Sequence, residues 1–312
     1  MMERRLIGVD IGGSNVKIGI FTTAGELVRQ SKFKTPLERN GESIIPATWE
    51  MVQATLEAEE SPAGIAIGVP GPVKAGTVYG AVNLGWKTFA VKKAFWEVSQ
   101  GACPVIVGND ASLAAFGEFK ARESAQSPFI LLTLGTGIGG GIVADGKILE
   151  GKNGFAGEFG HMKVHPGGSL CGCGKKGCLE SFAGLKGIRE RIKEKIARDP
   201  QNPLHKNPLK IEDILAAENE GIAPAVEVLE DAVEALGRAA SIITTAFDPE
   251  ALLFGGGLTE AWTELLPRIR ERYFRYAFKE TIHTPLEKAR LGNEAGIRGA
   301  MEVLRHDQAL RQ

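Results

Sequence analysis

Apolar and polar positions settle into short periodic runs from the start of the chain. Leu6 to Ile11 predicts a strand, Gly12-Gly13 a turn, and Val16 to Phe21 a returning strand. Paired glycines suit such a turn because they tolerate positive φ. Ala24-Gly25 makes a second turn and Glu26 to Phe33 a third strand, so the N-terminus reads as a β-meander. From Gly41 to Ala58, the residues Ile44, Ile45, Trp49, Val52 and Leu56 recur at helical spacing. Ile65 to Val69 is a short apolar strand that ends in Pro70-Gly71-Pro72. Asn83-Leu84-Gly85-Trp86 is a loop and Val91 to Ser99 a helix. Val105 to Val107 reads as a buried strand, and Ala111 to Ala121 as a helix capped by Asn109 or Asp110.

The meander has a weak echo. Phe129 to Leu134, Gly139 to Ala144 and Lys147 to Leu149 are strands, separated by turns at Gly135-Thr136-Gly137 and Asp145-Gly146. Two copies of one meander fit two related domains with a cleft between them. The pattern then turns helical over Leu185 to Arg198, Ile211 to Asn219 and Ala223 to Phe247. Ala251 to Phe254 is a strand, Glu260 to Tyr276 a helix, Leu286 to Leu291 a last strand and Ala295 to Leu304 a last helix. Strands alternating with helices predict an α/β protein.

Composition narrows the function. A chain of 312 residues with net charge -1 lacks the electrostatic footprint of a nucleic-acid or membrane-surface binder. Asp10 interrupts the first apolar run too early for a signal peptide, and Phe129 to Ala144 is too short and Gly-rich to span a bilayer comfortably. Four cysteines in so long a chain do not make a secreted disulfide framework. The expectation is a cytoplasmic protein with no membrane or nucleic-acid partner.

Candidate chemistry gathers at glycine turns. Gly12 and Gly13 bare backbone N–H groups suited to phosphate oxygens, and Ser14 and Asn15 add side-chain donors. Lys17 shares a face with Asn15 and suits charge neutralisation, while Asp10 suits a magnesium ion held through water; an ordinary hairpin accounts for the same residues. The second glycine run contains Gly135, Gly137 and Gly140 in G-x-G-x-x-G spacing. A strand follows it rather than a helix, which excludes the dinucleotide reading and leaves a second phosphate turn at Thr136-Gly137. Gly255 and Gly256, with Gly257, form a third open backbone site for the adenosine end of a nucleotide, or a plain strand-to-helix turn. Asp110 follows a buried strand at a helix start, where a carboxylate can take a proton from a hydroxyl or simply cap the helix.

Residues 157–180 hold three of the four cysteines, Cys171, Cys173 and Cys178, in a Gly-rich stretch too poor in apolar residues to fold by burial. With an imidazole they make a Cys3His structural zinc set. His161 is the expected fourth ligand, and His165 competes with it on spacing. A closed site fixes the loop without touching the reaction, and so positions Glu158 and Glu180, whose carboxylates suit vicinal hydroxyls.

Together these residues resemble the ROK family of repressors, open reading frames and kinases. The resemblance rests on DIGGS at 10–14, PGP at 70–72, NLGW at 83–86, ND before ASLAAFGE at 109–118, LGTGIGGGI at 134–142, GEFGH at 157–161, CGCGKKGCLE at 171–180 and FGGGL at 254–258. It implies a two-domain α/β fold like actin, hexokinase and ribonuclease H with an interdomain cleft. The implied domains are a small one over 1–115, joined by the C-terminal helix 295–312, and a large one over 116–294 that carries the zinc loop. It also implies an ATP- and magnesium-dependent hexose kinase, most like the glucose-phosphorylating branch, with kinases of N-acetylmannosamine, N-acetylglucosamine or another hexose as the alternative. Members are often homodimers. Asp110 would be the general base toward the sugar 6-hydroxyl. Gly71, Asn83, Asn109, Glu158, His161 and Glu180 would hold the sugar; His161, Cys171, Cys173 and Cys178 the zinc. Ser14 stands where the family usually has Thr, and Ser112 where it usually has Asn. A repressor of the family would carry a helix-turn-helix before the first glycine turn, for which ten residues leave no room.

Overall fold

The computed structural model of the chain describes residues 2–122 and 127–307. The N-terminal alternation is realised as β1 (Glu3–Ile11), β2 (Asn15–Phe21) and β3 (Leu27–Lys34), with fully buried pairs Val9–Ile18 and Ile11–Val16 across the first hairpin. A short turn, α1 (Glu38–Gly41), carries left-handed backbone at Arg39 and Asn40 and leads into α2 (Ile44–Thr55), shorter than the expected 41–58. Strand β4 (Glu60–Val69) is followed by a small sheet of β5 (Val73–Lys74), β6 (Thr77–Tyr79) and β7 (Thr88–Phe89). These strands of two or three residues leave no periodic signal in the sequence. Helix α3 (Val91–Val98), strand β8 (Val105–Asn109) and helix α4 (Asp110–Lys120) complete this region.

The second meander is β9 (Phe129–Leu134), β10 (Ile138–Ala144) and β11 (Lys147–Ile148). Then come α5 (Glu180–Ala183), α6 (Leu185–Ile196), α7 (Ile211–Asn219), α8 (Ala223–Phe247), β12 (Ala251–Gly255), α9 (Gly257–Ala261), α10 (Leu265–Tyr276), β13 (Leu286–Lys288) and α11 (Ala295–His306). The single helix expected over 260–276 is broken. Pro267 lacks an N–H and is tolerated only in a first turn, so the helix restarts at Leu265. The last strand stops at Lys288 rather than Leu291.

Each meander extends into a five-stranded mixed sheet. The orders are β3-β2-β1-β4-β8 and β11-β10-β9-β12-β13. In the first, β1 is antiparallel to β2 but parallel to β4, and β4 is parallel to β8. In the second, β12 is parallel to both β9 and β13. Among the described residues no helix is long and apolar enough to cross a membrane.

The chain divides into two compact units. One comprises Met1–Ala125, Gly141–Ala156 and Asn293–Gln312; the other comprises Gln126–Gly140 and Gly157–Gly292. This differs from the expected division at 115/116, which would cut through α4, buried from Ala111 to Glu118. Residues 141–156 also leave the expected large domain, because Gly141 packs on α4: a Cβ there would lie 2.6 Å from Ala111 O. Of the expected C-terminal segment 295–312, residues 308–312 lie outside the described residues.

Glycines let α11 lie directly on this first unit. A Cβ on Gly8 would stand 2.2 Å from Ile297 O, and one on Gly299 1.8 Å from Leu113 O. Around that approach Leu6, Phe21, Leu113, Ile297, Met301 and Leu304 form a buried cluster. At the far end of the sheet, Glu60 ties three strands. It accepts from Arg5 Nε at 2.6 Å, from the Glu57 N–H at 2.9 Å, and from Arg29. Burial alone would raise its pKa, but the Arg29 hydrogen bond, the Glu57 amide and Arg5 together hold it down at about 2.

Candidate active site

Each glycine turn is closed by a short backbone hydrogen bond. At the first, the Gly12 N–H donates to Asn15 O at 2.9 Å, while Thr35 donates from its hydroxyl to Gly12 O at 2.7 Å and from its N–H to Ser14 O at 3.1 Å. At the second, the Gly135 N–H donates to Gly137 O at 3.0 Å. Among the described residues the N–H groups of Gly13 and Ser14, and of Thr136 and Gly137, have no protein acceptor. Each turn thus offers two adjacent free amides, the arrangement that binds phosphate oxygens. Gly12 and Gly13 do not use positive φ, contrary to expectation. A side chain there would be crowded: a Cβ on Gly13 would stand 3.3 Å from Asn83 Cβ, and one on Gly12 3.2 Å from Asn15 O.

Asp10 and Lys17 are cross-strand partners beside the first turn. Lys17 Nζ lies 3.9 Å from Asp10 Oδ2 and donates to Asn293 O at 3.1 Å. Burial pushes the Asp10 carboxyl up, and Lys17 opposes the shift. Asn15 opens β2 at the edge of the turn.

Asp110 is the first residue of α4, directly after β8, a position that favours a negative side chain. Asn109 is the N-cap: its Oδ1 accepts the Ser112 N–H at 2.9 Å, while its Nδ2 donates to Gly71 O at 3.1 Å. Asp110 Oδ1 accepts the Ala111 N–H at 2.8 Å. Gly71, Asn109 and Asp110 are therefore one connected group. Gly71 needs its φ of 92°, which lets the Pro70-Gly71-Pro72 turn aim its carbonyl at Asn109. Asn83 is exposed on a 3₁₀ turn, held by burial of its neighbours Leu84 and Trp86, and lies beside Gly13.

In the second unit the cysteine loop is a tight knuckle. The Cys171 N–H donates to Lys175 O at 2.8 Å and the Gly177 N–H to Ser169 O at 3.0 Å. Ligand atoms of His161, Cys171, Cys173 and Cys178 all lie within 4.8 Å of one another. Cys173 and Cys178 Sγ are 3.6 Å apart, as are Cys171 Sγ and His161 Nδ1. Tetrahedral zinc with its usual bond lengths sets such ligand pairs about 3.6 to 3.8 Å apart, so the residues fit that metal. His165 stands aside, stacked on Phe182 with ring centroids 5.4 Å apart. Burial pushes the Cys171 thiol up to about 12, while the Lys175 backbone N–H draws that of Cys173 down. Lys163 Nζ sits 2.6 Å from Cys178 Sγ, across a short antiparallel bridge.

Both glutamates border this cluster. His161 Nε2, on the ring edge away from the thiols, is 3.9 Å from Glu158 Oε2. Burial pushes the Glu158 carboxyl up; His161 opposes the shift and Glu180 adds to it. Glu180 opens α5, and its Oε2 accepts the Ile138 N–H at 2.9 Å, next to the second glycine turn. The third glycine run ends β12. Gly256 has φ 91°, and a Cβ there would lie 2.4 Å from Leu134 O, so Gly255 and Gly256 abut the strand that enters the second turn.

A family model described as the ROK family matches residues 6–307. The chain belongs to the ROK family. It is 36% identical over 313 residues to a glucokinase of Halalkalibacterium halodurans, covering 96% of this chain and 94% of that one. It is 33% identical to an N-acetyl-D-glucosamine kinase of Vibrio parahaemolyticus, covering 94% and 97%. The crystal structure of a ROK family glucokinase from Streptomyces griseus in complex with glucose and AMPPNP superposes with a TM-score of 0.81 at 30% identity, covering 97% of this chain and all of that one. The fold is accordingly the two-domain mixed α/β fold of ROK kinases.

Within this ROK chain, several residues that shape the candidate site escaped the sequence reading. Thr35 clamps the first turn from 23 positions away, and Lys163 meets Cys178 from 15. Nothing local marks them; only strand register brings them in. The Gly71–Asn109 bond spans 38 positions and is equally silent in the sequence.

Proposed function

We propose that this chain is an ATP-dependent hexose kinase that transfers the γ-phosphoryl group to the 6-hydroxyl of glucose. The carrying observation is the pair of matched glycine turns with free adjacent amides, in a ROK chain that also holds a carboxylate, Asp110, at a helix start. Phosphoryl transfer needs positioning and charge stabilisation more than covalent help, and backbone amides supply both. Asp110 takes the hydroxyl proton as the attacking oxygen is aligned. Asn109 serves the same sugar, its orientation fixed by Gly71; Asn83, Glu158, His161 and Glu180 accept or donate to the remaining hydroxyls. Gly255 and Gly256 lie toward the adenosine end. Asp10 suits magnesium through water, an ion that neutralises phosphate charge when bound. Zinc held by His161, Cys171, Cys173 and Cys178 closes a four-ligand site with no open position, so its role is structural. A cytoplasmic homodimer completes this reading, to be checked by light scattering.

A coupled ADP-release assay with ATP and a panel of hexoses tests the activity. Glucose is expected to give the highest kcat/KM; no turnover with any hexose would refute the kinase. Asp110→Ala should lower kcat about 10³-fold while leaving glucose Kd nearly unchanged. The Vibrio relative supports a second reading, in which N-acetylglucosamine outcompetes glucose in the same panel.

A further inference from the structure

Glu180 is bonded to the second glycine turn rather than merely standing near the metal cluster. Its Oε2 accepts the Ile138 N–H at 2.9 Å, and a Cβ on Gly137 would lie 2.3 Å from that same oxygen. Its Oε1 is 3.9 Å from Cys171 Sγ. The residues after it grip the same turn: the Leu185 N–H donates to Gly135 O and the Lys186 N–H to Thr136 O, each at 3.0 Å. A turn made of Gly135, Thr136 and Gly137 has much backbone freedom to lose, and its two free amides bind phosphate well only when held in place beforehand. A carboxylate acceptor on the adjoining N–H is the strongest of these restraints, because a charge-assisted hydrogen bond is roughly twice as strong as a neutral one.

We propose that Glu180 is a positioning residue for the nucleotide phosphates as well as a sugar ligand. Oε2 fixes the turn at residues 135–137, and Oε1 is left for a sugar hydroxyl. One carboxylate then links the two affinities, and by thermodynamic reciprocity each ligand tightens the other. The proposal rests on the kinase reading above, which supplies both ligands.

The test is calorimetric titration of the zinc-loaded full chain with magnesium AMPPNP, with and without glucose. Glu180→Ala is expected to weaken AMPPNP about tenfold in the absence of glucose. Glu180→Gln keeps a neutral oxygen that accepts from the Ile138 N–H, so it should restore part of the AMPPNP affinity while glucose binding stays impaired. Gly137→Ala, whose methyl displaces Oε2, should weaken glucose as well as AMPPNP. Wild-type AMPPNP affinity in Glu180→Ala, or no rescue by glutamine, overturns the proposal. If the alanine variant does not fold, unchanged glucose affinity in Gly137→Ala overturns it instead. A wild-type chain that fails to bind AMPPNP defeats the kinase reading and this proposal together. One that binds both ligands, with AMPPNP indifferent to Glu180→Ala, defeats the proposal alone.

Discussion

Cys173 is the exposed thiol of the His161, Cys171, Cys173 and Cys178 cluster, and its Sγ meets that of Cys178 at 3.6 Å with no disulfide between them. Replacing it leaves three donors where a structural zinc site needs four. Metal analysis of the wild-type chain should give about one zinc per chain. Cys173→Ser should lose most of it and melt at lower temperature; a variant with full zinc and an unshifted melting point would remove the metal from its structural role. At this scale the sequence was informative where chemistry is local. Cysteine spacing marked the knuckle, and glycine runs marked both turns with free adjacent amides. It left His161 and His165 unresolved, because choosing between them needs the fold that stacks His165 on Phe182. Nor did it show that Gly12 and Gly13 lack positive φ or that Asn83 crowds Gly13, a neighbour that cannot be foreseen from positions 12 and 13.

Among the elements, α4 matters most, because it begins at Asp110 and its placement depends on α11. The two helices meet where a Cβ on Gly117 would lie 2.8 Å from Ala295 O and one on Gly299 1.8 Å from Leu113 O. Gly299→Ala must therefore push the helices apart. It is expected to cost about 1 to 3 kcal/mol in denaturant unfolding and to lower kcat more than it raises the glucose KM. Wild-type stability would mean that the contact relaxes without consequence. Strands and helices with strong periodicity, such as β2 and α8, are found close to their expected bounds. The small sheet β5-β6-β7 was invisible because its strands are shorter than one period of alternation can reveal. The break before α10 was available from Pro267 and was outweighed by the apolar pattern on either side.

For the whole molecule, Glu60 sets a pH dependence. Its folded-state pKa of about 2 lies below the ordinary 4.5, so its contribution to stability is complete above pH 4.5 and is lost as the pH falls toward 2. Denaturant titrations across that window should show stability falling with acidity. In Glu60→Gln the slope should be shallower, with about 3 kcal/mol already missing at neutral pH, since Arg5 then loses its buried partner. An unchanged slope would assign the acid sensitivity elsewhere. The sequence did not reveal how the chain is shared between units, because the return of residues 141–156 depends on Gly141 packing against α4. The position of α11 has a consequence for synthesis. β1 leaves the ribosome long before α11, yet Leu6 and Phe21 pack with Ile297, Met301 and Leu304. Until α11 is made, only Ala66 and Leu113 of this cluster cover that face, which makes the nascent chain a natural client for chaperones that bind exposed apolar segments.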